Sequence, residues 1–84
     1  MEVFPNPADE SATFRFTAVD DGEVQIRIFD TNGQEVAKAV HQETRADETY
    51  ELKLATQDLA EGMYYYNLET GGHYQASGKL SIAR

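Results

Sequence analysis

Hydrophobic side chains recur at every second position along most of this chain. Phe14 and Phe16 alternate with Thr13, Arg15 and Thr17, and Val24, Ile26 and Ile28 alternate with Gln25 and Arg27. Tyr50, Leu52 and Leu54 alternate with Glu51 and Lys53, and Tyr64, Tyr66 and Leu68 fall on one face. A period of two, rather than 3.6, turns one face of a strand into a core and the other into water. Turn residues punctuate these runs at Asp20-Asp21-Gly22, Thr31-Asn32-Gly33 and Thr70-Gly71-Gly72. Asn-Gly and Gly-Gly tolerate the positive φ of tight hairpins, so each is read as joining antiparallel strands. The pattern predicts strands near residues 2–5, 12–18, 23–30, 34–41, 48–55, 62–70 and 73–83.

Two stretches break the alternation. Residues 42–48 are polar and are expected to cross between sheets as a Greek-key connection, and residues 56–61 to form one short helical turn with Leu59 closing the end of the core. Segment 34–41 has helical propensity, but eight residues held behind an Asn-Gly turn leave little room for a helix. Short strands separated by turn signals every 8–12 residues indicate a sandwich. The expected fold is all-β: a seven-stranded, immunoglobulin- or fibronectin-III-like antiparallel β-sandwich, with residues 1–84 as a single domain.

Composition adds constraints. A chain of 84 residues buries only roughly 60% of the surface its unfolded form exposes, so its stability margin is narrow. There is no cysteine, which excludes a disulfide scaffold and any thiolate metal site. Stability must come from packing of aromatic and β-branched side chains, and five Tyr and four Phe are present. Fifteen Asp and Glu against seven Lys and Arg give a net charge of −8. Such a surface repels nucleic acid and anionic lipid, and excludes both as partners. No apolar run approaches the ~20 residues of a membrane span, so membrane insertion is not expected. Met1 to Pro5 lacks the basic start and apolar stretch of a signal peptide, so an export signal would lie upstream in a longer protein.

Candidate chemistry is sparse. Ser11, Ser77 and Ser81 sit in no nucleophile-elbow context. His41 and His73 lie at a strand end and beside a hairpin, without an orienting carboxylate or partners at metal-ligand spacing, and read as solvated. The acid pairs Asp9-Glu10, Asp20-Asp21 and Asp47-Glu48 read as turn residues rather than calcium ligands. Gly71-Gly72 lacks the helix that would aim its amides at a phosphate. Alternation leaves Tyr65 alone on the outer face, more in keeping with cross-strand packing than with a sugar platform. No catalytic, cofactor-binding or metal residue is assigned; the expectation is a non-enzyme without a cofactor.

Several features occur in order: Val3-Phe4-Pro5-Asn6-Pro7, then the run from Gly22 to Val36 containing Asn32-Gly33, then Leu59 to Tyr66 containing Gly62 and Tyr64, and finally Gly78 to Arg84. Together they resemble the C-terminal sorting domain of proteins exported by the type IX secretion system of Bacteroidetes-type bacteria. They are also similar to the related immunoglobulin-like domain of flagellar hook-capping proteins. Within this motif Pro5 and Pro7 flanking Asn6 fix an extended segment at a sheet edge, Gly62 allows a sharp turn, and Tyr64 packs inward with its hydroxyl near the surface as in a tyrosine corner.

The resemblance implies an address: a C-terminal domain that targets an upstream cargo for export across the outer membrane. Such domains fold in the periplasm, meet a translocon at the outer membrane, and are usually removed by a sortase-like peptidase as the cargo reaches the cell surface or the medium. The implied partners are that secretion machinery and the cargo domain, with the isolated domain a monomer. The implied recognition surface is the terminal strand, with Lys79, Leu80, Ser81, Ile82 and Arg84, and the loop around Asn32 and Gly33. The rival reading is an accessory module of a secreted enzyme, a spacer or weak carbohydrate binder acting through Tyr65. A calcium-binding adhesin repeat is a third.

Overall fold

A computed structural model describes residues 1–4 and 10–83, with the backbone alone at residue 42. Seven strands are found among them: β1 (Glu2–Phe4), β2 (Ser11–Thr17), β3 (Gly22–Phe29), β4 (Glu35–Thr44), β5 (Thr49–Ala55), β6 (Gly62–Thr70) and β7 (His73–Ile82). They form two antiparallel layers, ordered β1-β2-β5 and β4-β3-β6-β7. Non-consecutive strands pair in each layer (β2 with β5, β3 with β6), so three connections cross between sheets. This is an antiparallel β-sandwich consistent with the immunoglobulin-like expectation, with the fourth strand beside the third rather than in the smaller sheet.

The alternation in the sequence becomes the seam between the layers. Phe14 and Phe16 of β2 and Leu54 of β5 meet Val24, Ile26 and Ile28 of β3, Tyr64 and Leu68 of β6, and Leu80 and Ile82 of β7. The Phe14 ring stands edge-on to Tyr66 across the seam, with centroids 5.3 Å apart and planes at 71°, a favoured aromatic geometry. Tyr66 lies opposite Gly78, where an added Cβ would come within 2.7 Å of the ring's Cζ. Glycine is thus required there by close approach, not by backbone conformation. On the outer face of the smaller sheet, Arg15 holds β1 in place. Its guanidinium pairs with Glu51 at 2.7 Å, reaches Glu2 at 3.8 Å, and lies 5.1 Å from the Phe4 ring centroid.

Several expectations need correction. Asp20-Asp21-Gly22 does not close a hairpin; it carries the chain from β2 in one sheet to β3 in the other. Residues 42–44 are strand, not crossing loop. Thr44 pairs with Gly22 and its hydroxyl donates to the Gly22 carbonyl at 2.8 Å, so the crossing is confined to Arg45–Glu48. Asp47 takes a positive φ of 68° in that turn, a conformation Asp tolerates better than most residues. Residues 56–61 form a turn closed by Leu59 N–H to the Thr56 carbonyl rather than a helical turn, with Leu59 packed on the core as expected. Pro5, Asn6, Pro7 and Arg84 lie outside the described residues.

Phe16 is 1% exposed at the centre of the seam. Phe16→Ala should therefore cost about 3–5 kcal/mol, most of the stability of a domain this small. Urea unfolding of the isolated chain followed by tyrosine fluorescence should show the midpoint falling accordingly.

Candidate functional site

Strand directions define two ends. Short links join β2 to β3, β4 to β5 and β6 to β7 at one pole, where β1 also begins. The loops after β3 and β5 and the end of β7 lie at the other. Ten-residue strands span about 33 Å, which matches the 35 Å long axis of the molecule. Met1 and Ile82 are therefore at opposite poles, and the loop containing Asn32 and Gly33 shares a pole with the end of the terminal strand.

The Asn32-Gly33 loop is built around Asp30. The Asp30 carboxylate accepts from the Asn32 N–H at 2.9 Å and the Gln34 N–H at 3.0 Å, while the Gly33 N–H donates to the Asp30 carbonyl at 3.0 Å. Gly33 takes φ 84° and Asn32 does not take a positive φ. This is a three-residue hairpin loop ending in a left-handed residue, not the two-residue form that Asn-Gly suggests by itself. At the same pole, Gly62 at φ 149° starts β6. Two residues on, Tyr64 is buried and its hydroxyl donates to the Ala60 carbonyl at 2.6 Å. That bond ties the turn before β6 to the strand, as a tyrosine corner does.

The terminal strand divides its residues sharply. Leu80 and Ile82 are 0% and 1% exposed and form part of the core. In the folded domain both side chains face the core rather than solvent. Lys79 is exposed and makes no ion pair with a described residue. The register sets Lys79 opposite Tyr65, and Tyr65 opposite Phe29. A register shift between Ile28 and Phe29 leaves Val36 as the extra residue beside this row. Tyr65 is thus not isolated, as the linear sequence suggests. It stands in a cross-strand row with an aromatic neighbour on one side and a cation on the other.

The remaining candidates divide differently. His73 is exposed, but His41 faces inward, half-buried, 5.1 Å from the Tyr50 ring, with Nδ1 buried and unpartnered. An open hollow of about 400 Å³ at the first pole is lined by Asp21, Glu43, Arg45, Glu48 and Tyr50 among others. Several of its polar groups are hydrogen-bonded within the domain: Asp21 accepts from the Ala46 N–H, and the Tyr50 hydroxyl accepts from the Arg45 N–H and donates to Glu48. Among the described residues no group of three or more His, Asp or Glu is placed to hold a metal ion. Burial pushes the Tyr66 hydroxyl above its ordinary range.

A two-layer sandwich whose distinctive features are a terminal strand, a tyrosine-corner turn and an exposed cross-strand row has the form of a recognition domain. The model of the secretion system C-terminal sorting domain family matches residues 2–83, and the chain belongs to that family, whose members are sorting signals for type IX secretion. Membership implies interaction with the type IX machinery and export to the outer membrane, the cell surface or the medium. No curated protein matches the chain. Among solved structures it resembles the crystal structure of dimeric latent PorU from Porphyromonas gingivalis, with a TM-score of 0.77 and 26% identity. The similarity covers 98% of this chain and 9% of that one, so the chain spans less than a tenth of PorU.

Two measurements follow. Tyr64→Phe removes only the hydroxyl bond to Ala60 and should lower stability by about 1 kcal/mol with an unchanged circular-dichroism spectrum, as read by denaturant titration. For Tyr66, the raised folded-state value favours the neutral phenol. Its contribution to stability is fully present below about pH 10, the unfolded value, and is lost as pH rises through the folded one. Stability should therefore decline in alkaline solution, and Tyr66→Phe should flatten that decline.

Proposed function

We propose that this domain is the C-terminal, non-catalytic part of a longer exported protein, and that the type IX machinery reads it in its folded state at the outer membrane, after passage through the periplasm. The cargo precedes β1, so it attaches at the pole opposite the end of β7. The domain acts as a monomer, and its recognition groups are the outward side chains of the terminal strand, chiefly Lys79, with the loop at Asn32 and Gly33. The observation that carries this reading is the division of β7: Leu80 and Ile82 lie inside the sandwich while Lys79 projects from it. A reader of a linear tail would have to pull two core residues out of the seam, at a cost of several kcal/mol. A reader of the folded surface has no such cost.

Deletion of residues 79–84 would remove core as well as surface, so it does not separate the two modes of reading. The informative construction carries the 84-residue chain behind an exported reporter in a type IX-secreting host. The unchanged domain should deliver the reporter to the surface or the medium. The double change Phe14→Ala and Phe16→Ala leaves every terminal residue in place but dismantles the seam, and should strand the reporter in the periplasm. Delivery undiminished by that double change would show that a linear tail is read instead.

A further inference from the structure

The outer face of the larger sheet carries an apolar group that the fold does not use. Tyr65 and Met63 are 43% and 45% exposed, Val36 is 39% exposed, and Phe29 is half-buried beside them. Phe29, Tyr65 and Lys79 form one cross-strand row over β3, β6 and β7, with Val36 in the bulge of β4 and Met63 two residues before Tyr65. The next row is polar, with Arg27 opposite Lys38 and Asn67; the Arg27 guanidinium lies 3.6 Å from Glu35, which the register sets opposite Phe29, and 3.9 Å from Glu69. An apolar centre with aromatic members and a polar border is the composition of a protein-binding surface. The whole group lies at the pole away from Met1, beside the Asn32 loop.

We propose that this row is where the secretion machinery docks, and that its occupant is a protein surface presenting an apolar side chain to the Phe29–Tyr65 pair and a carboxylate to Lys79. The proposal rests on the folded-address reading above and adds to it the face that is read and the chemistry of the partner. Charge selects the occupant. On a molecule of net charge −8, Lys79 makes no ion pair with a described residue, and it flanks the aromatic pair directly, so a carboxylate placed there gains an attraction that the rest of the domain opposes. A second copy of the chain is disfavoured because each copy carries the same −8 and the approach is repulsive. The other two lysines do not offer the same combination: Lys38 lies opposite Arg27, and Lys53 is on the smaller sheet.

The same reporter fusion tests it. Lys79→Glu and Tyr65→Ser alter exposed side chains, so both variants should melt within a few degrees of the unchanged domain. Each should reduce delivery at least tenfold with accumulation in the periplasm, and Lys79→Arg should restore it. Lys38→Glu and Lys53→Glu make the same charge change elsewhere and should be delivered normally. If Lys79→Glu and Tyr65→Ser are delivered normally while the Phe14, Phe16 double variant is not, the row is not the docking face and the folded address survives. An equal loss from Lys38→Glu or Lys53→Glu would reduce the effect to net charge and overturn the proposal. Sedimentation showing a dimer that Tyr65→Ser dissolves would make a second copy the occupant. Saturable polysaccharide quenching of tyrosine fluorescence, abolished by Tyr65→Ser with delivery intact, would make it a sugar. Either result refutes the proposal, and failure of the unchanged domain to deliver the reporter would defeat the address reading along with it.

Discussion

With no cysteine in 84 residues, the two sheets are held together by the contact of Phe14 and Phe16 with the inner faces of β3 and β6. These two strands are the central pair of the larger sheet, hydrogen-bonded on both sides, and the seam sets their register. A one-residue slip of β3 would move Ile26 into water and Arg27 into the core. Because that slip is excluded, every outward residue of the larger sheet is placed too. Arg27 falls between Glu35 and Glu69, and Tyr65 falls between Phe29 and Lys79. The surface that distinguishes this domain is thus the reverse side of its core.

The terminal strand shows the same coupling in one element. Leu80 and Ile82 complete the seam beside Tyr64, which they flank through the β6–β7 pairing, and Lys79 alternates with them on the opposite face. A chain that has not folded therefore cannot present Lys79 next to Tyr65. Folding and display are one event, and an incomplete β7 leaves both an open seam and an absent row. The Tyr64 hydroxyl bond to Ala60 and the positive φ of Gly62 stabilise the turn that launches β6, so they act on the same surface at one remove.

Much of this was legible in the chain. Alternation located the strands to within one or two residues at most ends, and the Gly71-Gly72 hairpin is where glycine chemistry put it, at φ 58° and 82°. What could not be read was the partner of each strand. Period two states which residues share a face but not which strand lies alongside, so the Asp20-Asp21-Gly22 link looked like a hairpin although it changes sheets. The polar run Gln42-Glu43-Thr44 looked like a loop because an edge strand with water on one side carries little apolar signal. His41 reads as solvated in the sequence for a related reason: its inward position depends on β4 pairing with β3 opposite Val24, which nothing local reveals. In the linear sequence Lys79 to Ile82 form one segment, whereas the sandwich buries Leu80 and Ile82 and leaves Lys79 exposed.

The exposed row was the least legible feature, and the reason bears on how such a domain is recognised. Phe29, Tyr65 and Lys79 come from three strands, and no pairwise spacing in the sequence marks them as neighbours. Only the β3–β6 and β6–β7 registers bring them together. The similarity to the PorU domain shows how the same architecture persists at 26% identity over 98% of this chain. At that identity most side chains differ, while the fold is kept, with a TM-score of 0.77. A reader that relied on a contiguous string of residues would depend on what changes most readily. A reader that relies on positions set by the seam depends on what the fold cannot give up without unfolding, and a cross-strand row at the pole opposite Met1 is such a position.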